Sequence, residues 1–182
     1  MNVRKNLSAR DYENKSRAIF ENFKKWLDTQ NVNHIHCYIS MSEKREASTD
    51  DLIDWLLKNH YIVSVPVVNF KENSLEHYQI APGFELKENK WGVKEPAPGS
   101  RFKKTEPPLF DIVIVPVVAA DKEGTRLGYG KGFYDRFLSQ TNALKTGLVF
   151  SDCVTDKELP SESFDVPLDF LITDKGIIQT NT

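Results

Sequence analysis

After its opening aspartate, the run DIVIVPVV at 111–118 carries no polar side chain. A strand with one wet face would alternate with polar residues. The run therefore predicts a strand covered on both sides, as in a mainly parallel sheet. Other short runs rich in β-branched and aromatic residues keep it company: HIHCYIS at 34–40, YIVSVPVV at 61–68, KTGLVF at 145–150 and DFLIT at 169–173. Helical patterns fall between and before them. Ser8 with Asp11 three residues on forms a capping box, and Ile19, Phe20, Phe23, Trp26 and Leu27 then recur at helical spacing. Ser48-Thr49-Asp50-Asp51 opens a second helix with the stripe Leu52, Trp55 and Leu56.

Strands alternating with helices predict a three-layer α/β fold with helices on both faces of the sheet. In such folds ligands gather at the carboxyl ends of the strands. One compact domain over 1–182 is expected, because a chain of this length buries roughly 70% of its unfolded surface. The Pro- and Gly-rich stretch 81–108 reads as an irregular excursion whose length suggests function.

Lys plus Arg number 24 and Asp plus Glu 26, a net charge of −2. No global basic field argues for a nucleic-acid partner. No stretch approaches the ~18 apolar residues of a membrane span, and the amino terminus lacks the apolar core of a signal peptide, so a cytoplasmic protein is expected. Cys37 and Cys153 stand in apolar surroundings with no paired framework, which predicts buried thiols and no disulfide. His34 and His36 share one face of a strand at a spacing that metals use. With no third ligand nearby they read as satisfied surface or edge histidines. The basic run Arg101, Lys103 and Lys104 reads as a solvated loop.

The covered strand leads into GTRLGYGKGFYDR at 124–136, where four glycines, Arg126 and Lys131 crowd together. The loop is neither a P-loop nor a dinucleotide fingerprint: Gly132 stands where the first needs Ser or Thr, and Phe133 where the second needs Gly. Gly128, Gly130 and Gly132 nevertheless leave the backbone open to close approach. A helix beginning near Phe133 aims free NH groups outward, and the two cations add charge, so an anion site is the reading. A glycine-rich turn with solvated cations is the alternative.

DIVIVPVVAADKEGTRLGYGKGFYDRFL as a whole resembles the signature region of the 5-formyltetrahydrofolate cyclo-ligase family. Three further segments match in order: Glu46 to Thr49, WGVKEP, and Pro160 to Asp169. The resemblance implies a fold like that of sugar-phosphate isomerases and CoA transferases. It also implies conversion of 5-formyltetrahydrofolate and MgATP to 5,10-methenyltetrahydrofolate, ADP and phosphate. By position, Arg126, Leu127, Gly128, Tyr129, Gly130, Lys131, Gly132, Phe133 and Tyr134 would line the ATP, with Arg126 and Lys131 as catalytic cations. Asp135 and Asp169 would hold Mg²⁺. Tyr129 stands where some relatives have Arg. For the folate, Glu46 would accept the paired donors of the pterin edge, with Trp91, Phe133 and Ile39 packed against the rings. No nucleic-acid or membrane partner is expected, and a monomer or weak dimer is. A non-catalytic folate- or nucleotide-binding regulator, and an isomerase or acyl transferase sharing only the fold, are the competing readings.

Relatives usually begin with a basic segment before the capping Ser that reaches the nucleotide. Here Arg4 and Lys5 are the cations ahead of Ser8. Either a short upstream extension carries the missing segment, which is the favoured expectation, or these two residues swing back to serve in its place.

Overall fold

The computed structural model describes residues 3–89, 93–97 and 102–181. The chain opens with helix α1 (Ala9–Leu27), strand β1 (His34–Cys37), helix α2 (Asp50–Lys58) and strands β2 (Ile62–Asn69) and β3 (Ser74–Ile80). Short strands β4 (Leu86–Glu88), β5 (Lys94–Pro96) and β6 (Lys103–Thr105) follow, and then β7 (Ile112–Pro116), β8 (Ala119–Asp121) and β9 (Arg126–Leu127). Helix α3 (Phe133–Leu138), β10 (Leu144–Leu148), β11 (Val154–Thr155), β12 (Phe170–Thr173) and β13 (Gly176–Gln179) complete it.

Eight strands make the main sheet in the order β13-β12-β10-β7-β1-β2-β3-β6. The five from β12 to β2 run parallel, and β13, β3 and β6 pair antiparallel at the margins. The covered run is thus an inner strand, and Val113, Ile114 and Val115 are wholly buried. Asp111 fixes its start: one carboxylate oxygen accepts from the backbone N–H of Asn33 and His34 at 2.9 and 2.8 Å, aligning β1 with β7.

Helix α1 begins where its capping box predicts, with Ser8 accepting from the Asp11 N–H at 3.0 Å. Its apolar stripe, with that of α2, packs on one face of the sheet against Ile35, Val63 and Ile114. At its far end α1 lies against β12 and β13: Trp26 meets Phe170 with ring centroids 5.1 Å apart, and Asn22 donates to the Thr173 carbonyl at 2.8 Å. The opposite face is covered by α3 and by the folded-back hairpin β8–β9, through Val113, Val115, Phe137, Leu138, Leu168 and Leu171. Among the described residues no helix is long and apolar enough to cross a membrane.

Three differences from the sequence reading follow from local chemistry. β3 reads poorly because SLEHYQI is polar and lies near a sheet margin, and its turn from β2 uses Asn73, not Gly, at φ 52°. The excursion at 81–108 is not irregular throughout: β4 and β5 pair with each other, and β6 extends the main sheet. Lys103 and Lys104 lie on β6, where Lys104 meets Glu76 at 3.3 Å, and Arg101 lies outside the described residues. The thiols are free, Cys37 buried and Cys153 half-buried.

The histidines also sit differently. β1 is an inner strand, and His34 and His36 are buried rather than at a surface or an edge. His34 bonds Ser64 at 2.8 Å, and His36 Nε2 lies 3.0 Å from His77 Nδ1. Phe110 and Phe137 enclose the His36–His77 pair. Among the described residues no cluster of three or more His, Cys, Asp or Glu could hold a metal.

Burial, with the Lys104 ammonium nearby, pushes His77 down to about 4, and burial beside His77 holds His36 well below the usual imidazole range. The unfolded chain therefore binds protons below pH ~6.5 that the folded chain refuses. Stability is complete above that value and is lost as pH falls toward 4, by on the order of 3 kcal/mol for His77. Urea unfolding of His77→Gln between pH 7 and 4.5 should show a pH slope smaller by about one proton than that of the parent chain. An equal slope would remove His77 from this account.

Candidate active site

Glu46, the loop 124–132 and the amino-terminal segment meet beyond the carboxyl ends of β1 and β7. The chain leaving β1 is pinned first. Thr49 Oγ1 donates to the Tyr38 carbonyl at 2.9 Å and accepts from the Ser40 N–H at 3.0 Å, while Ser40 Oγ accepts from the Thr49 N–H at 3.1 Å. This double clasp holds residues 41–46 as a tight turn. Glu46 does not cap α2. Its Oε2 accepts from the Met41 N–H at 2.7 Å, and its Oε1 from the Tyr129 hydroxyl at 2.7 Å. The carboxylate is only 2% exposed, and burial raises its pKa against the opposing pull of those two donors.

The loop reaches Glu46 through its own backbone chemistry. Val118 N–H bonds the Leu127 carbonyl at 2.9 Å, closing β8 on β9 and delivering Gly128 and Tyr129 to the strand ends. Gly130 and Gly132 then take φ of 74° and 63°, which a side chain would resist. A Cβ at Gly128 or Gly130 would meet nothing within 4 Å, so the loop leaves open space beside its backbone. Lys131, between the two left-handed glycines, is exposed, and among the described residues its ammonium makes no ion pair or hydrogen bond. Helix α3 behind it has only six residues, so few peptide dipoles sum at its start.

The amino-terminal segment supplies a contact that the sequence reading did not favour. Arg4, expected at a frayed helix mouth, is 6% exposed. Its guanidinium donates to the Val117 carbonyl at 3.1 Å and to the Tyr129 hydroxyl at 2.7 Å. Lys5 beside it is exposed. With Val3, Val118, Gly128 and Tyr129 these two residues line a cavity of about 540 Å³, within the range of small-molecule sites.

The other expected residues divide. Arg126 is not turned into the loop: its guanidinium bonds the Val166 carbonyl and pairs with Asp135 at 2.6 Å, almost wholly buried. Asp135 Oδ1 also accepts from the Val166 N–H at 3.3 Å, which leaves Oδ2 without a hydrogen bond among the described residues. Asp169 lies apart, at the start of β12, accepting from the Lys145 N–H at 2.7 Å, and among the described residues shares no partner with Asp135. Tyr134 is packed between the two cores with its hydroxyl buried and without a hydrogen-bond partner among the described residues, and burial beside Cys37 and Glu46 holds that phenol well above its usual range. Leu127 is half-buried on β9. Ile39 is buried in the core with α1 and α2. Phe133 lines a different, smaller cavity of about 210 Å³ with His77 and Lys104. Trp91 lies outside the described residues.

The sequence profile of the 5-formyltetrahydrofolate cyclo-ligase family matches residues 1–174. The chain is 32% identical to a 5-formyltetrahydrofolate cyclo-ligase of Haemophilus influenzae, over 91% of this chain and 89% of that one. It is 35% identical to the Escherichia coli K12 protein of the same name, over 74% and 75%. The solved structure of the Aquifex aeolicus 5,10-methenyltetrahydrofolate synthetase superimposes with a TM-score of 0.83 at 30% identity, covering 100% of this chain and 89% of that one. A synthetase of that name from Mycoplasma pneumoniae shares the fold, with a TM-score of 0.76 at 23% identity over 95% and 93%.

Proposed function

This chain belongs to the 5-formyltetrahydrofolate cyclo-ligase family and is an enzyme of that kind, and on that footing we propose that it closes 5-formyltetrahydrofolate to 5,10-methenyltetrahydrofolate at the expense of ATP. The observation that carries the reading is the meeting of a buried carboxylate, Glu46, with an open glycine loop bearing an exposed Lys131 that has no partner among the described residues. A pterin edge offers paired N–H donors, which one carboxylate accepts together. A polyphosphate needs backbone approach and a cation, and Gly128, Gly130 and Lys131 offer both. The buried hydroxyl of Tyr134, which has no partner among the described residues, is a further donor awaiting an acceptor.

The chemistry explains why the two subsites adjoin. A formamide oxygen leaves only after it is phosphorylated. The formyl oxygen attacks the γ-phosphorus and ADP departs; N10 of the same folate then adds to the activated carbon and loses its proton, and the C–O bond breaks to release phosphate. Such a sequence asks for positioning and charge neutralisation more than for a nucleophile of the enzyme's own. Glu46 orients the ring system, and Lys131 neutralises the transferring phosphoryl group. Mg²⁺, a hard cation that suits carboxylate and phosphate oxygens, would be held through Asp135, whose Oδ2 remains available. Asp169, held by Lys145, is the less well placed of the two expected ligands. The cover on both faces of the sheet supports the three-layer kinship with sugar-phosphate isomerases. The relatives' names are those of enzymes, so the regulator reading has no observation in its favour.

The test is direct, because the methenyl product absorbs in the near ultraviolet where the formyl substrate does not. Purified protein with 5-formyltetrahydrofolate and MgATP should develop that absorbance, and omission of ATP should abolish it. Asp135→Asn should raise the Mg²⁺ concentration for half-maximal rate, since the amide keeps the shape and gives up the charge. An unchanged metal dependence would leave Asp135 as the structural partner of Arg126 alone.

A further inference from the structure

Glu46, the acceptor on which the folate reading rests, is not open to a ligand in this structure. It is 2% exposed, and the residue over it is Tyr129, which is 45% exposed and bonds its Oε1 at 2.7 Å. The phenol is itself held from behind. Arg4 donates to the same hydroxyl at 2.7 Å, and its guanidinium carbon lies 5.5 Å from the ring centroid. Arg4 is anchored in turn on the Val117 carbonyl at the end of β7. A chain of donors thus runs from Arg4 through Tyr129 to Glu46, joining the amino-terminal segment, the glycine loop and the turn after β1. It sits where a pterin edge would bind, and the segment that carries Tyr129 is bounded by glycines, whose backbone has the widest choice of conformations. Gly128 and Gly130 flank it, with open space where their side chains would be.

We propose that Tyr129 is a substrate-displaced cover on Glu46, positioned by Arg4, so that folate enters only as the phenol swings away on its two glycines. The inference deepens the folate reading of Glu46 and depends on it. It makes Tyr129 a positioning residue: its hydroxyl satisfies the buried carboxylate while the site is empty, when an unpaired buried charge would be costly. The same hydroxyl is a competitor that the heterocycle must replace. Because the cover belongs to the phosphate loop, admission of folate also releases that loop.

The deciding measurement is the dissociation constant of 5-formyltetrahydrofolate without nucleotide, for the parent chain, Tyr129→Phe, Glu46→Gln and the double variant. Loss of the hydroxyl removes the competitor and leaves the ring, so Tyr129→Phe should bind folate about tenfold more tightly, as expected for a hydrogen bond to a charged group. Glu46→Gln should bind it more weakly, and in that background the second change should bring no gain, a coupling that a merely structural tyrosine would not produce. Thermal melting checks that each variant is folded, which an exposed tyrosine makes the expected result for Tyr129→Phe. If Tyr129→Phe binds equally or less tightly while Glu46→Gln loses affinity, the cover is wrong and the folate reading stands. If Glu46→Gln binds folate as well as the parent, the folate reading fails and takes the cover with it.

Discussion

Replacing Lys131 by methionine is expected to lower kcat by about a hundredfold to a thousandfold while leaving stability within about 0.5 kcal/mol of the parent. The two halves of that expectation have separate origins. The ammonium is exposed and has no partner among the described residues, so its loss removes no packing and strands no buried charge. If it faces the transferring phosphoryl group, however, it acts where negative charge gathers in the transition state. A deleted donor of that kind costs about 2.7–4 kcal/mol in another enzyme's oxyanion hole. Steady-state rates followed in the near ultraviolet, beside a urea titration, measure both quantities. Parent-like turnover would remove Lys131 from the chemistry.

For Arg126→Met the expected order is reversed: a loss of about 3–5 kcal/mol of stability comes first. The guanidinium side chain is 6% exposed and its partner Asp135 18%, so removing the cation strands a carboxylate with little access to water. For a domain of this size that loss corresponds to a fall of roughly 10 °C in Tm, which calorimetry reads directly. Adding Asp135→Asn should recover part of it, because the amide no longer carries the uncompensated charge. A variant that melts like the parent but turns over slowly would instead return Arg126 to the nucleotide, where its place in the sequence had suggested it.

Arg126 shows where sequence reasoning stops. A cation in a glycine-rich loop reads as phosphate-facing because the pattern gives its neighbours and not its direction. Here β9 turns the side chain inward to Asp135 and Val166, a consequence of the β8–β9 hairpin that no periodicity announces. Arg4 errs in the opposite sense. Four residues ahead of a helix cap it looks frayed, yet a long-range bond to Val117 buries it, and only the fold brings those residues together. By contrast, the inner strands and both long helices were legible, since burial on both faces and helical spacing leave direct marks in the order of apolar residues. β3 and β13 left fainter marks, for marginal strands can be polar or short. Glu46 was legible as a candidate through its match to the family pattern. Its pairing with Tyr129 was not, because the family pattern sets Tyr129 among the residues lining the nucleotide and gives no sign of a bond to Glu46.

The packing of α1 on β12 and β13 has a consequence during synthesis. The helix is complete by Leu27, but the strands under its far end follow about 150 residues later, a wait on the order of ten seconds at ribosomal speeds. Through that interval Phe23, Trp26 and their neighbours stand with part of their seat unmade, even once α2 and β1 have emerged. A helix made well before these strands is therefore among the last elements to be fully housed. A nascent chain halted before Phe170 should present this amphipathic stripe to any chaperone that samples exposed apolar helices.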